Sequence, residues 1–395
     1  MREDLLSAKT VGIKPSGIRK FFDIVAEMKD AISLGVGEPD FDTPWHIRDE
    51  GIYSLEQGRT FYTSNSGLKE LKMEIAAYMQ RTLGVQYHYN NEIFITVGGS
   101  EAIDLMMRAL VNPGDEVLIP QPSYVSYEPC AVLAGATPVI INLKEENRFR
   151  LTARELEEAI TDKTKILVLP FPNNPTGAIM EKEDLEALAP IIEKHDLYVL
   201  SDEIYSELTY TDENADNVHV SIASLPGMKE RTIVVNGFSK AFAMTGWRLG
   251  YACGPSLIIQ QMIKIHQYCI MCAPTTSQYA AVEALRNGAE DVRMMRESYN
   301  ERRRFVLHML KEMDLPCFEP QGAFYVFPCI KEFGMSSDEF AEQLLREEKV
   351  AIVPGTAFGD CGEGYLRISY AYSIDNLRKA LVRLQSFVNR LRSSK

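Results

Sequence analysis

The sequence has no long apolar run. No stretch of eighteen apolar residues occurs among its 395 residues, so we expect no membrane-spanning helix. The opening residues 1–6 lack the apolar run of a signal peptide. The seven cysteines are odd in number and scattered, which favours reduced thiols over a disulfide framework. We therefore expect a cytoplasmic protein that does not contact membranes.

Basic tracts and metal-ligand spacings are also missing. The net charge is −13 and no basic block interrupts it, which argues against a nucleic-acid partner. The six histidines show neither H-x-x-x-H nor H-E-x-x-H spacing, so we expect no bound metal. Cys269 and Cys272 form a C-x-x-C pair without a second pair, and we interpret both as core thiols.

Short apolar, β-branched runs alternate with longer segments of helical pattern. The runs have little polar alternation, which is typical of strands in a mostly parallel sheet covered on both faces. They predict seven strands, at 92–97, 116–120, 137–141, 165–169, 198–201, 232–236 and 249–253. The fold class is therefore α/β, with a mostly parallel seven-stranded sheet between helices.

The pattern changes near residue 289. A charged amphipathic helix is predicted over 291–315, and an α+β pattern follows it, with strands at 322–327, 350–353 and 365–369 and a helix over 337–348. A strand-like run at 31–35 precedes a turn-rich segment, and the residues before it are too few to fold alone. We predict an N-terminal arm and part of a small domain at 1–47, a large α/β domain at 48–289 and a small α+β domain at 290–395.

Polar and glycine residues follow several of the predicted strands, where open α/β sheets bind ligands. Gly98 and Gly99 open a helix, and its free N–H groups favour an anion such as phosphate. A plain glycine turn with Ser100 as N-cap explains the same residues equally well. Asp202 ends the fifth strand with Tyr205 three residues on, but Asp202 is equally explained as a helix N-cap.

Lys240 lies among small and apolar residues, eight positions before Arg248. A sheltered lysine, with a second cation nearby, has a lowered pKa and can form an imine with an aldehyde. Taken alone, such a lysine is more often a surface residue or half of a salt bridge. Together with a rigid turn at 170–177, the anion cradle and Asp202, however, it matches the needs of pyridoxal phosphate.

These residues also carry a family resemblance. The chain resembles the class I aminotransferases of the aspartate aminotransferase superfamily, which are fold type I pyridoxal-phosphate enzymes. The similar segments, in this order, are 35–39, 62–68, 173–177, 202–205, 239–250 and 366–369. The resemblance implies a pyridoxal-phosphate-dependent aminotransferase (transaminase) that acts as a homodimer with a shared active site.

The resemblance also implies roles for single residues. Lys240 would bond to the cofactor and then shuttle a proton, Asp202 would pair with the ring nitrogen, and Tyr205 would bind the phenolic oxygen. These three are the predicted catalytic residues. The other predicted cofactor-binding residues are Gly99, Ser100, Glu101, Tyr124, Asn174, Ser239, Arg248 and, from the partner subunit, Tyr62.

The substrate carboxylate is assigned to Arg367, with Asn174 and the backbone of Gly37. On spacing alone, Arg367 belongs to an alternating strand and faces water; the resemblance favours the first interpretation. It also suggests that the small domain closes over the substrate.

The amino donor is only partly specified. Segment 13–19 resembles a bacterial branch that includes aspartate, aromatic and broad-range enzymes. Aspartate-specific members commonly carry a lysine after the paired glycines, where this chain has Ser100. We therefore favour an aromatic or broad donor with 2-oxoglutarate as acceptor, in a ping-pong reaction through Lys240. A carbon-sulfur β-lyase on the same fold and a non-catalytic aminotransferase-like protein are the alternatives.

Overall fold

The structure is a computed structural model that describes residues 5–15, 30–211 and 219–393. Part of the predicted N-terminal arm, residues 1–4 and 16–29, lies outside the described residues, as do residues 16–19 of the segment that resembles the bacterial branch. None of the helices in the described ranges is long and apolar enough to cross a membrane.

The strands form one large and two small sheets. Their bounds are β1 Ile32–Ser33, β2 Ile93–Thr96, β3 Glu116–Gln121, β4 Thr137–Asn142, β5 Thr164–Leu169, β6 Tyr198–Asp202, β7 Thr232–Gly237, β8 Gly250–Cys253, β9 Tyr325–Val326, β10 Val350–Ala351, β11 Val353–Pro354 and β12 Leu366–Ser369. The large sheet has the order β2-β8-β7-β6-β5-β3-β4. Its strands are parallel from β7 to β4, while β8 is antiparallel to both of its neighbours. The prediction of a mostly parallel, seven-stranded sheet is confirmed.

Helices cover both faces of the large sheet, and other helices pack with the small sheets of the C-terminal part. Their bounds are α1 Ala8–Val11, α2 Trp45–Glu56, α3 Lys69–Leu83, α4 Gly98–Leu110, α5 Tyr127–Ala134, α6 Ala153–Ala159, α7 Lys182–Lys194, α8 Ser256–Cys269, α9 Thr275–Asn287, α10 Ala289–Glu312, α11 Ser337–Glu348 and α12 Ile374–Ser393.

Alternate residues of one strand enter different cores. In β5, Ile166 and Val168 join the core that contains residues of α4 and α8. Leu167 and Leu169 join the core that contains residues of α6 and α7. Both faces of the strand are therefore apolar, which explains why the sequence shows little polar alternation there.

The C-terminal part contains the two small sheets. Strand β12 lies between β11 and β9 and is antiparallel to both. Strand β1, from the N-terminal part, pairs in parallel with β10. The predicted long helix and the helix over 337–348 are present as α10 and α11, whereas β1, β9 and β10 are shorter than the predicted runs at 31–35, 322–327 and 350–353.

The interpretation of the C-x-x-C pair was wrong. Cys269 is exposed and Cys272 is partly buried. The reason is that α8 ends at Cys269, where the neighbouring side chains Tyr268 and Ile270 are exposed as well.

Candidate active site

A cavity of about 600 Å³ opens at the carboxyl ends of the central strands. Eleven of the predicted site residues lie together on the walls of this cavity. They are Gly37, Gly99, Ser100, Tyr124, Asn174, Asp202, Tyr205, Ser239, Lys240, Arg248 and Arg367. Two selected residues, Glu101 and Tyr62, are not among its lining residues.

The start of α4 forms one end of the cavity. Gly98 has φ of 74°, and a Cβ there would lie 2.6 Å from Nη2 of Arg248. A Cβ at Gly250 would lie 2.6 Å from the backbone nitrogen of Gly99. The missing Cβ at Gly98 lets the Arg248 guanidinium approach the start of α4, and the missing Cβ at Gly250 lets β8 approach it. Free N–H groups, a helix N-terminus and a cation together favour a phosphate group.

The side chain of Glu101 turns away from this end. Its carboxylate accepts the N–H of Val97 at 2.5 Å and lies 2.7 Å from Nδ1 of the buried His266. The N-cap of α4 is Val97, without a side-chain cap, so Ser100 does not cap the helix. Only the backbone of Glu101 remains available for the predicted phosphate contact.

Asp202 ends β6 and is 7% exposed. Its carboxylate accepts hydrogen bonds from the hydroxyl of Tyr127 at 2.7 Å and from the N–H of Ile204 at 3.2 Å. Burial raises the pKa of Asp202 to about 6, while these two hydrogen bonds oppose the rise. Residues 204–207 form a turn rather than a helix, so Asp202 is not a helix N-cap. A carboxylate held in this way can pair with a cationic ring nitrogen.

Lys240 lies inside the cavity. Its Nζ donates to the carbonyl of Gly37 at 2.5 Å. Burial is the main cause that lowers its pKa to about 8; Glu38 opposes the change, and the cations Arg367 and Arg248 add to it. Lys240 lines the cavity and bonds a backbone carbonyl, so it is not a surface residue, and it forms no salt bridge with any residue that the structure describes. Its amine can be neutral near physiological pH.

Arg367 forms the opposite end of the cavity. It is 2% exposed, which contradicts the interpretation of an outward-facing residue on an alternating strand. Its Nη1 donates to Oδ1 of Asn174 at 2.8 Å, and its Nη2 donates to the carbonyl of Gly35. Its Cζ lies 4.5 Å from the ring centre of Tyr325 and 4.7 Å from that of Phe358. Its Nε is buried without a partner among the described residues, so this guanidinium has a donor left for an anion.

Three aromatic residues of the site are not among those predicted from the sequence. Tyr127 bonds Asp202, the hydroxyls of Tyr325 and Tyr205 lie 2.7 Å apart, and Phe358 packs on Arg367. Tyr127 stands three residues after Tyr124, a spacing that could have pointed to it. Tyr325 lies in an apolar run and Phe358 in a short turn, and neither position has a local signal.

Tyr62 lies on the surface. It is 79% exposed, and the neighbouring Phe61 is 82% exposed. Its predicted contact with the phosphate requires a second subunit, so that assignment stays a prediction.

Known proteins resemble this chain over most of its length. The family model for aminotransferase class I and II matches residues 29–384. An aspartate aminotransferase of Pyrococcus abyssi is 49% identical over 94% of this chain and 95% of its own. Aromatic-amino-acid aminotransferase 2 of Thermococcus litoralis is 46% identical over 96% and 97%. The crystal structure of an aromatic aminotransferase from Pyrococcus horikoshii OT3 superposes with a TM-score of 0.89 at 45% identity, covering 95% of this chain and 99% of that one.

Proposed function

The chain belongs to the class I and II aminotransferases, and we propose that it moves the amino group of an aromatic or broad range of L-amino acids to 2-oxoglutarate. The proposed reaction is ping-pong and uses pyridoxal 5'-phosphate. The proposed assembly is a homodimer in which Tyr62 of the partner subunit completes the phosphate site.

The cavity residues fit this cofactor. When bound, pyridoxal phosphate supplies an aldehyde that accepts an amino group and a ring that takes up electron density from the neighbouring carbon. The start of α4, with Ser239 and Arg248, would hold its phosphate. Asp202 would keep the ring nitrogen protonated, and Tyr124 would stack on the ring. The fit rests on two missing side chains: a Cβ at Gly98 would collide with the Arg248 guanidinium, and a Cβ at Gly250 would collide with the backbone of Gly98 and Gly99 at the start of α4.

Lys240 has the properties that the proton transfer requires. Its Nζ lies 5.7 Å from the ring centre of Tyr205, in the middle of the cavity. With a pKa of about 8, a substantial fraction of the amine is neutral near pH 7.5 and can accept a proton from the substrate. The hydrogen bond to the Gly37 carbonyl fixes the position of that amine.

Arg367 would bind the substrate α-carboxylate. Its planar fork can bond a carboxylate bidentately, and Asn174 already holds one of its nitrogens. Residues 35–37 provide the neighbouring backbone, and β1 just before them pairs with β10. We therefore assign 1–47 in part, and 290–395, to a small domain that closes over the large domain at 48–289 and excludes water.

The proposal that the amino donor is aromatic or broad rests on the number of cations in the cavity. Among the lining residues, the only lysines and arginines are Lys240, Arg248 and Arg367, and each has a role already. Ser100 stands where a lysine would meet a second substrate carboxylate. A donor such as aspartate would therefore leave its distal carboxylate without a side-chain cation from the same subunit, whereas an apolar aromatic side chain needs none.

A panel of amino acids tests the proposal. The purified protein is mixed with phenylalanine, tyrosine and aspartate, and the absorbance of its bound cofactor is followed. Phenylalanine and tyrosine should bleach the band, and 2-oxoglutarate should restore it. Aspartate turnover much faster than phenylalanine or tyrosine turnover would contradict the proposed donor. Release of pyruvate and ammonia from cysteine conjugates would indicate a lyase instead.

A further inference from the structure

Tyr325 lies between Arg367 and Tyr205 on the wall of the cavity. Its side chain is fully buried, its hydroxyl oxygen is 2.7 Å from that of Tyr205, and its ring centre is 4.5 Å from Cζ of Arg367. A Cβ at Gly37 would lie 2.5 Å from the Tyr325 oxygen, so this oxygen packs against the Gly37 backbone. One residue thus contacts both the proposed carboxylate arginine and a tyrosine of the proposed cofactor site.

The fold keeps this contact in place. Tyr325 belongs to β9, which pairs with β12, the strand that carries Arg367. The Tyr205 ring packs edge-on against both Tyr325 and Phe324. Because both tyrosines are buried and packed, their hydroxyls have little freedom to separate.

The hydroxyl pair has two possible donor directions, and the chemistry of the site selects one. A phenol has a single proton to donate. If Tyr205 donates to the phenolic oxygen of the cofactor, its own oxygen can only accept from Tyr325. The Arg367 guanidinium favours the same direction, because a nearby cation makes a phenol more acidic. Burial raises the pKa of both phenols, but Arg367 is the leading opposing cause at Tyr325, whereas the pKa of Tyr205 rises well above its ordinary value.

We propose that Tyr325 is a positioning residue whose hydroxyl donates to Tyr205 and directs the Tyr205 proton to the phenolic oxygen of the cofactor. The anionic form of that oxygen is thereby stabilised. This inference rests on the proposed function, because it requires the cofactor between Asp202 and Tyr205.

Tyr325→Phe tests the role of the hydroxyl alone. The variant keeps the ring under Arg367 and removes only the oxygen. Tyr370→Phe is the matched control: Tyr370 is also fully buried in the same core, and its hydroxyl donates to the Ala323 carbonyl at 3.1 Å rather than to Tyr205. Melting temperatures of both variants establish that each is folded.

The measurement is the absorbance of the bound cofactor against pH, without substrate. Loss of the Tyr325 hydroxyl should weaken the Tyr205 hydrogen bond to the phenolic oxygen and favour the protonated form of the chromophore. The midpoint should therefore rise by about half to one pH unit in Tyr325→Phe, the size of one hydrogen bond, and should stay at the wild-type value in Tyr370→Phe. The KM for the amino acid should change less than kcat, since the ring under Arg367 remains.

The outcomes separate this inference from the proposed function. A Tyr325→Phe midpoint that equals or falls below the wild-type midpoint overturns the positioning role and leaves the proposed function intact. An equal rise in Tyr370→Phe also overturns it, because the effect then comes from general loosening of the core. A wild-type protein that binds no pyridoxal phosphate overturns the proposed function, and the inference with it.

Discussion

The cavity presents an arginine at each end, and the chain builds the two ends from different kinds of sequence. The helix end consists of Gly98, Gly99 and Arg248, and the aromatic end consists of Arg367, Tyr325, Phe358 and Asn174. At the helix end, Arg248 packs against a glycine turn that directly follows β2. At the aromatic end, three residues from separate segments, Tyr325, Phe358 and Asn174, contact the guanidinium of Arg367.

The difference affects how each guanidinium is held. Arg248 donates to the Thr245 carbonyl at 3.0 Å and lies beside backbone that has no side chains. Arg367 lies between two aromatic rings, and two of its nitrogens are already bonded. The helix end therefore depends on the absence of side chains, and the aromatic end on their presence. A substitution at the helix end should therefore weaken binding of the cofactor, and a substitution at the aromatic end should weaken binding of the amino acid.

The largest effect is expected from Arg367→Ala. It removes the fork that binds the substrate carboxylate and leaves Asn174 without its partner. We expect kcat/KM to fall by about three orders of magnitude, since losing one partner of a buried charge pair costs about 3 to 5 kcal/mol. Steady-state kinetics with phenylalanine provide the measurement. The affinity for pyridoxal phosphate should be unchanged, and an equal loss of that affinity would show that the two ends are not independent.

Gly98→Ala should act at the other end. Its φ of 74° is left-handed, and the new Cβ would lie 2.6 Å from Nη2 of Arg248. We expect the Kd for pyridoxal phosphate to rise about 10- to 100-fold, because strain of this kind costs about 1 to 3 kcal/mol. The KM of the reconstituted enzyme for its amino acid should change little.

Gly84→Ala is the control for backbone strain. Gly84 has φ of 67°, but a Cβ there would meet nothing within 4 Å. Both variants should lose stability, and only Gly98→Ala should lose cofactor affinity. Titration of the two apo-proteins with pyridoxal phosphate distinguishes them; equal affinities would mean that Arg248 moves aside without consequence.

Lys240 lies between the two ends and responds to both. Arg367 precedes Arg248 among the causes that lower its pKa to about 8. Removing a cation makes protonation easier, so the pKa should rise in Arg367→Met and, by less, in Arg248→Met; a shift of about half a pH unit is expected for the larger effect. The pH dependence of the reaction of each apo-protein with pyridoxal, which lacks the phosphate, reports this pKa. A larger shift in Arg248→Met would reverse the comparison.

The same contrast explains what could be predicted from the sequence. The seven strands of the large sheet are continuous apolar runs. Asp202 ends β6, and Gly98 and Lys240 stand within three residues of the ends of β2 and β7, so local patterns located the helix end and the centre of the cavity. Arg367 was selected only through the family resemblance, because its spacing alone is that of a solvent-facing strand residue. Tyr325 and Phe358 were missed because their positions depend on the pairing of β9, β11 and β12, which are short and distant in sequence.

The smallest effect is expected from Phe358→Leu, which removes one of the two rings that enclose Arg367. Leucine stays apolar but loses the cation–π contact, which contributes about 0.5 to 1 kcal/mol. The KM for the amino acid should therefore rise about two- to fivefold, with cofactor affinity unchanged. Phe340→Leu is the control, since Phe340 is equally buried but packs on Phe333 and Phe387. If both variants raise the KM equally, the aromatic end depends on core packing in general, and the enclosure of Arg367 has no specific role.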